Sequence, residues 1–419
     1  MKPAVITGMA VRTALATDLA GFTEALRAGR SGITRLPSAQ AGQSAVAARL
    51  TIPDLPAELD ALPGLVPGRH ARAVRTAARA PMGVRTALLT ALAAWQQAGL
   101  ETDGPPPERI GLVVAGHNLT AGYAESLYPR LRRGRSHVPA RAALHLLDSD
   151  HLGVLSEVLG ITGEGCTVGG ASASGNVGII TAARLLALDA VDACLVVGAC
   201  AELSELERQA LFNLGAMADG RAREDPAEVC RPFDAERTGF VLGQGCGALV
   251  LESTESVRRR GARPLARLAG YGIGLDGNSQ ADPDRHGESA VMTAALRTAG
   301  LEPEQVGYVN AHGTASELGD RTEAEALRAV FGERPDGPWI NATKALTGHT
   351  LHAAGVIEAV ATVLQMRAGF VHPNVNLYRP VDAGLRFAGR SAQHAAIRYA
   401  LSNGFGFGGI ETSILLAGC

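Results

Sequence analysis

Short apolar strand-like runs that alternate with alanine- and leucine-rich helical stretches predict an α/β fold. Buried-strand candidates recur at Ala4 to Gly8, Ile110 to Ala115, Ala193 to Gly198, Gly247 to Leu251 and Tyr308 to Ala311. Between them lie helical patterns at Ala87 to Ala98, Val177 to Leu188 and Ala353 to Met366. A self-match adds a second observation. AGLE at Ala98 to Glu101 leads into ERIGLVVAG from Glu108, and AGLE at Ala299 to Glu302 leads into EQVGYVNAH from Glu304. The same order of helix, turn and strand on both occasions predicts an internal duplication. Two halves are expected, residues 1–253 and 254–419, joined near Leu251 to Ala262.

Composition bounds the function. The 419 residues carry 39 Lys+Arg against 41 Asp+Glu, a net charge of -2. That balance argues against nucleic acid or an anionic membrane as the main partner, since both need a basic excess. With 46% hydrophobic and 19% charged residues the chain is not disordered, and 51 glycines imply many tight turns and close backbone approaches. The cysteines, at 166, 194, 200, 230, 246 and 419, form no C-x-x-C pair, so neither a disulfide framework nor a zinc site is expected. The most apolar stretch, near Leu185 to Leu203, is broken by Asp189, Asp192 and Glu202. It is too interrupted to span a bilayer, and the start shows no cleavable signal, so a cytoplasmic protein is expected.

Some segments read as ordinary surface. Ser38 to Arg69 is proline-rich and reads as a surface excursion. The run Arg258-Arg259-Arg260-Gly261 reads as a solvated helix end between the halves.

Three strand-to-helix loops carry chemistry-bearing residues, at places where free backbone N–H groups and the helix dipole favour developing negative charge. The first runs from Thr167 to Asn176 and presents Ser172 among glycines and alanines. The second, Val309 to Thr314, ends a strand on His312. The third, Asn341 to Thr350, sets Lys344 five residues before His349, ahead of an apolar helix. The first alone is as readily a small-residue packing turn as a catalytic one, and either histidine alone is more often a satisfied structural residue than a catalyst. Together they supply a nucleophile turn, proton donors and anion stabilisers, the parts acyl chemistry requires. No glycine-rich turn stands in a dinucleotide or P-loop context.

In this order the motifs resemble those of β-ketoacyl-acyl-carrier-protein synthases of the thiolase-like superfamily. VNAHGTASELGD resembles the first histidine motif and TKALTGHT the lysine and second-histidine motif. CRPFDAERTGFVLGQGCGALVLE resembles the central block and SNGFGFGG the closing glycine loop. The resemblance implies a duplicated five-layered α-β-α-β-α fold, with residues 1–253 carrying the nucleophile position and 254–419 the two histidines. It implies a homodimer that binds no metal or cofactor and takes its substrate on the phosphopantetheine of an acyl carrier protein. Catalytic roles are implied for His312, His349 and Lys344, supporting roles for Asp320 and Glu358, and a gating and oxyanion role for Phe407 with Gly408. Basic clusters at Arg69, Arg72, Arg75 and Arg79, or at Arg130, Arg132, Arg133 and Arg135, are candidate docking sites for an acidic carrier protein, and equally ordinary solvated faces.

The chain departs from the family at several positions. Ser172 stands where a condensing enzyme has cysteine, Gly170 where many members have Thr or Ser, Gln244 where Glu is usual, and His352 where Gly is usual. His352 is expected on a helix surface or at a partner contact, or else as a third imidazole near His349. Cys166, upstream of the helix start, is poorly placed to replace the missing thiol. A hydroxyl is several pKa units weaker an acid than a thiol, so a helix dipole can generate a thiolate but not an alkoxide at neutral pH. Acyl loading is therefore weakened. Decarboxylation of malonyl thioester needs only a grip on the carbonyl while charge moves onto it, and both histidines remain. The expectation is a ketosynthase-like decarboxylase that converts malonyl-carrier protein into acetyl-carrier protein. The resemblance extends to the serine-bearing decarboxylases of polyketide β-branching cassettes, which feed an HMG-CoA-synthase-like enzyme. Three alternatives stand beside it: a condensing or acyl-transferring enzyme using Ser172, an engineered cysteine-to-serine variant, and a non-catalytic partner subunit like a chain-length factor.

Overall fold

The computed structural model describes residues 4–37, 45–279 and 281–419. Ten strands join one mixed sheet. They are β1 (Ala4–Thr13), β2 (Ile110–Ala115), β3 (Gly165–Val168), β4 (Ala193–Gly198), β5 (Gly245–Ser253), β6 (Ala266–Leu275), β7 (Tyr308–Asn310), β8 (Trp339–Asn341), β9 (Tyr399–Gly406) and β10 (Ile410–Ala417). Outward from an antiparallel β1–β6 seam the order is β1-β5-β4-β2-β3 on one side and β6-β10-β9-β7-β8 on the other. Each strand of the second block sits where the strand five numbers earlier sits in the first. Directions repeat as well: β2 pairs in parallel with β3 and β4, and β7 with β8 and β9. The inner pairs of both blocks are antiparallel. The self-matching segments thus fold into the equivalent strands β2 and β7.

Six helices complete the layers: α1 (Met82–Gln97), α2 (Ser149–Leu159), α3 (Ser174–Ala187), α4 (Arg285–Ala299), α5 (Glu317–Phe331) and α6 (Ala354–Ala368). Helices α1 and α2 cover the outer face of the first block, and α4, backed by α5, covers that of the second. Between the blocks, α3 packs on β2, β4, β9 and β10, while α6 packs on β4, β5 and β9. The molecule therefore has the expected five layers. The central helices are largely apolar and bury most of their surface, as a helix between two sheets must: every residue of α6 from Ala354 to Gln365 is buried. They cross closely at Gly175 and Gly355, where a Cβ on Gly175 would lie 2.6 Å from the Val356 nitrogen.

Two expectations are corrected. The proline-rich stretch is not a simple excursion. Residues 38–44 of it lie outside the described residues, but Leu55–Asp60 is a helix capped by Asp54, and its Leu55 and Leu59 are buried in the core beneath α1. The proline at its first turn starts the helix instead of preventing it. The arginine run does lie on a short helix, Thr254–Arg260, between β5 and β6, yet only part of it is solvated. The Arg260 side chain is only 7% exposed and grips the fully buried Glu252 at 2.7 Å. No helix among the described residues is long and apolar enough to cross a membrane.

Candidate active site

The loops that follow β3, β7 and β8 meet the β9–β10 turn around one cavity of about 770 Å³. Ser172, His312, His349, Phe405 and Phe407 all border it.

Ser172 occupies a single 3₁₀ turn, Ala171–Ala173, that leads into α3. Ala171 is held at φ 46°, a left-handed conformation that costs a non-glycine residue about 1–2 kcal/mol. Packing sustains it. The Ala171 carbonyl accepts the Ser174 hydroxyl at 2.7 Å and lies 3.0 Å from His352 Nδ1, and the β9–β10 turn lies so close that a side chain at Gly406 would strike the Gly170 carbonyl. The turn delivers Ser172 Oγ to 2.9 Å from His349 Nε2.

The imidazole protons follow from their partners. His349 Nδ1 accepts the Leu351 amide at 3.3 Å, so in the neutral ring the proton sits on Nε2, which donates to Ser172 Oγ. On His312 the Lys344 ammonium lies 3.4 Å from Nδ1, which assigns that ring's proton to Nε2 as well. The two rings stand nearly perpendicular, 5.7 Å apart. Burial holds both pKa values well below the ordinary imidazole range. The Lys344 charge pushes them further down, as does a second imidazole, His349 for His312 and His352 for His349. Both are therefore neutral N–H donors at physiological pH.

Lys344 is buried, and its ammonium also donates to the His312 carbonyl at 2.6 Å and to Glu358 Oε1 at 2.5 Å. Glu358 is nonetheless pushed up to about 7, because burial outweighs the attraction of Lys344. Asp320 makes no bond to the lysine. It takes the amides of Phe233 at 2.6 Å and Ala315 at 3.0 Å, fixing the loop after His312, and burial raises it to about 7. Phe407 lies at the cavity mouth, 44% exposed, beside Gly408 at φ 87°.

Other residues of the site were not anticipated. Glu323 accepts the amides of His312 and Gly313, each at 2.8 Å, and fixes the first histidine's backbone. Phe405 places its ring 5.5 Å from His312, and its position two before Phe407 was the available signal. His352 is not on a helix surface; it takes the other expected place, a third imidazole near His349, buried in the cavity wall 4.5 Å from the His117 ring. Gln244 accepts the Leu50 amide at 3.2 Å. Cys166 is the second residue of β3, and burial raises its thiol pKa, so it is not favoured as a thiolate. Of the basic clusters, Arg69 is taken up by Glu101 at 2.8 Å and the Val158 carbonyl at 2.8 Å, whereas Arg130, Arg132, Arg133 and Arg135 are exposed.

The family model for the N-terminal domain of β-ketoacyl synthases matches residues 1–256, and that for the C-terminal domain matches residues 265–378. The chain belongs to the β-ketoacyl synthase family. It is 41% identical, over 81% of its length and 80% of the relative's, to the polyketide biosynthesis malonyl-ACP decarboxylase PksF of Bacillus subtilis. A crystal structure of a β-ketoacyl synthase from Burkholderia phymatum matches it with a TM-score of 0.86 and 28% identity, both chains fully covered. A type II polyketide ketosynthase solved in complex with its acyl-carrier protein, AntDE:AntF, matches with a TM-score of 0.85 and 25% identity, again over both whole chains. The fold is thus the duplicated, thiolase-like fold of ketosynthases.

Proposed function

We propose that this β-ketoacyl synthase relative is a malonyl-carrier-protein decarboxylase that releases acetyl-carrier protein. The observation that carries the reading is the hydrogen bond at Ser172. A hydroxyl stands in the nucleophile turn and accepts from an imidazole whose only proton is already on the facing nitrogen. That imidazole cannot take the serine proton, and no thiol is present to ionise without a base. The two Nε2–H groups instead suit the thioester carbonyl oxygen. They strengthen their hold as decarboxylation moves charge onto it, and being neutral they present hydrogen bonds without needing protonation. Lys344, held by Glu358, keeps the His312 tautomer; Phe407 and Gly408 are assigned to gating of the cavity. The substrate arrives on the phosphopantetheine of a carrier protein, for which exposed Arg130 to Arg135 form a docking candidate. The likeness to PksF supports the substrate, and the carrier complex of the similar ketosynthase supports the partner. Work as a homodimer that supplies acetyl-carrier protein to an HMG-CoA-synthase-like enzyme of β-branching belongs to the same proposal.

The 2.9 Å serine–histidine contact also favours a second reading, acyl transfer through Ser172, provided His349 shifts its proton to Nδ1. Intact-mass spectrometry of the protein incubated with malonyl-carrier protein alone separates the two. Conversion to acetyl-carrier protein without an acyl acceptor supports decarboxylation; an acyl adduct on Ser172 that moves onward supports transfer. His312→Ala and His349→Ala are each expected to lower decarboxylation about 10²–10³-fold, the typical effect of losing one oxyanion donor. Ser172→Ala should retain most activity, and complete loss there would overturn the nucleophile-independent mechanism.

A further inference from the structure

A group of carboxyls beside the cavity has no role in gripping a thioester. Glu411, on β10, is the direct cross-strand partner of Phe405 on β9, so it projects from the same face of the sheet as the ring that packs on His312. Glu288, in the first turn of α4, also borders the cavity, as do Asp320 and Glu323 of α5. Asp276, just past β6, completes the group: the space a Gly287 side chain would need is taken by the Asp276 carboxyl and, at 3.5 Å, by Glu411 Cγ. Glu288 and Glu411 are only 1% and 2% exposed, and each has an Oε2 with no hydrogen-bond partner.

So many carboxyls cannot all be ionised in so small a buried space. Of the nearby cations, Arg237 stands 3.9 Å from Asp320 and Lys344 is paired with Glu358; among the described residues neither forms an ion pair with Glu288 or Glu411. Burial is the first cause raising Glu411, to about 9, followed by Asp276, Glu323 and Asp284. Glu288 is raised well above the usual range by burial and then by Glu323, Glu411, Asp276 and Asp320. A neutral carboxylic acid at the cavity wall is a proton donor, and a reaction that ends in acetyl instead of a longer chain needs one.

We propose that Glu411, sharing a proton with the Asp276 carboxyl beside it, is the acid that converts the enolate into the acetyl group; this rests on the decarboxylase reading. The bond between the methylene carbon and the carboxylate breaks, carbon dioxide leaves, and the electron pair stays on the thioester as an enolate. Glu411 gives its proton to the carbon, directly or through one water. A C–H bond forms, a carboxylate remains, and water reprotonates it. A condensing enzyme passes the same electron pair to an acyl chain and needs no such donor at that step.

The test uses the full chain with malonyl-carrier protein, following carbon dioxide release and acetyl formation across pH, together with thermal unfolding. Wild type should work through neutral pH and lose activity as pH rises through about 9, where the acid ionises. Glu411→Gln should lower the neutral rate roughly 10²-fold or more and abolish that alkaline limb, while raising the unfolding temperature because a crowded carboxyl is gone. Asp276→Asn, as a second variant, should move the alkaline limb to lower pH, because Asp276 is the neighbour that most raises Glu411. A Glu411→Gln enzyme with unchanged rate and limb overturns the proposal and leaves the decarboxylase reading intact, as does a slower one whose limb is unmoved. No carbon dioxide from wild type overturns both.

Discussion

At the scale of single residues, the Leu351 amide places the His349 proton on Nε2, and that placement governs what Ser172 can become. A donor facing a hydroxyl leaves it a hydroxyl. The same donor facing a sulfur would stabilise a thiolate, at the end of a helix that already favours negative charge. Ser172→Cys is therefore expected to take an acyl chain from acyl-carrier protein as a lasting thioester, which intact-mass spectrometry would read as an adduct absent from wild type. Ser172, His312, Lys344 and His349 were legible because each sits in a short motif whose local chemistry is unusual. Glu323, Glu288 and Glu411 were not. A carboxylate is an ordinary surface residue until distant elements bury it, and nothing beside these three in the chain announces that burial.

At the scale of elements, the site depends on how closely α3 and α6 approach. Gly175 follows Ser172 by three residues and lies against Gly355 and the Val356 nitrogen. Gly175→Ala forces a methyl into that contact and is expected to cost about 1–3 kcal/mol in denaturant unfolding. It should also shift the Ser172 turn and depress turnover beyond the loss of folded protein. The parallel strands β2 and β4 were legible because every residue of both is buried, and strands buried on both faces read as continuous hydrophobic stretches. Strand β6 escaped notice, since its glycines weigh against a strand in isolation. Gly270 and Gly272 are there because the backbone of α4 passes where their side chains would be.

At the scale of the whole molecule, burial of titratable groups in this layered body sets how stability responds to pH. Burial holds His151, His352 and His372 down to about 4, so unfolding takes up protons below the ordinary value of 6.5 and these groups make stability rise with pH from about 4 to 6.5. Asp320 and Glu358, at about 7, and Glu411, at about 9, act in the opposite sense. Their folded forms keep protons that the unfolded chain has lost, so they make stability fall as pH rises from about 4 through those values. Above pH 6.5 the histidine contribution is complete and only the fall remains. The unfolding temperature should decline between pH 6.5 and 9, with Glu411 alone accounting for about 3 kcal/mol. Glu411→Gln should flatten that decline.

The amino-acid sequence by itself determined the α/β class, the duplication and the serine in a ketosynthase motif, because periodicity and short motifs are properties of neighbours along the chain. Tertiary structure alone decided that His352 faces the cavity, that the His312 and His349 imidazoles are neutral donors, and that carboxyls from β10, α4, α5 and the segment after β6 crowd together. Those outcomes depend on desolvation and on hydrogen bonds between segments far apart in sequence, where charge, tautomer and proton affinity are set by what the fold brings near.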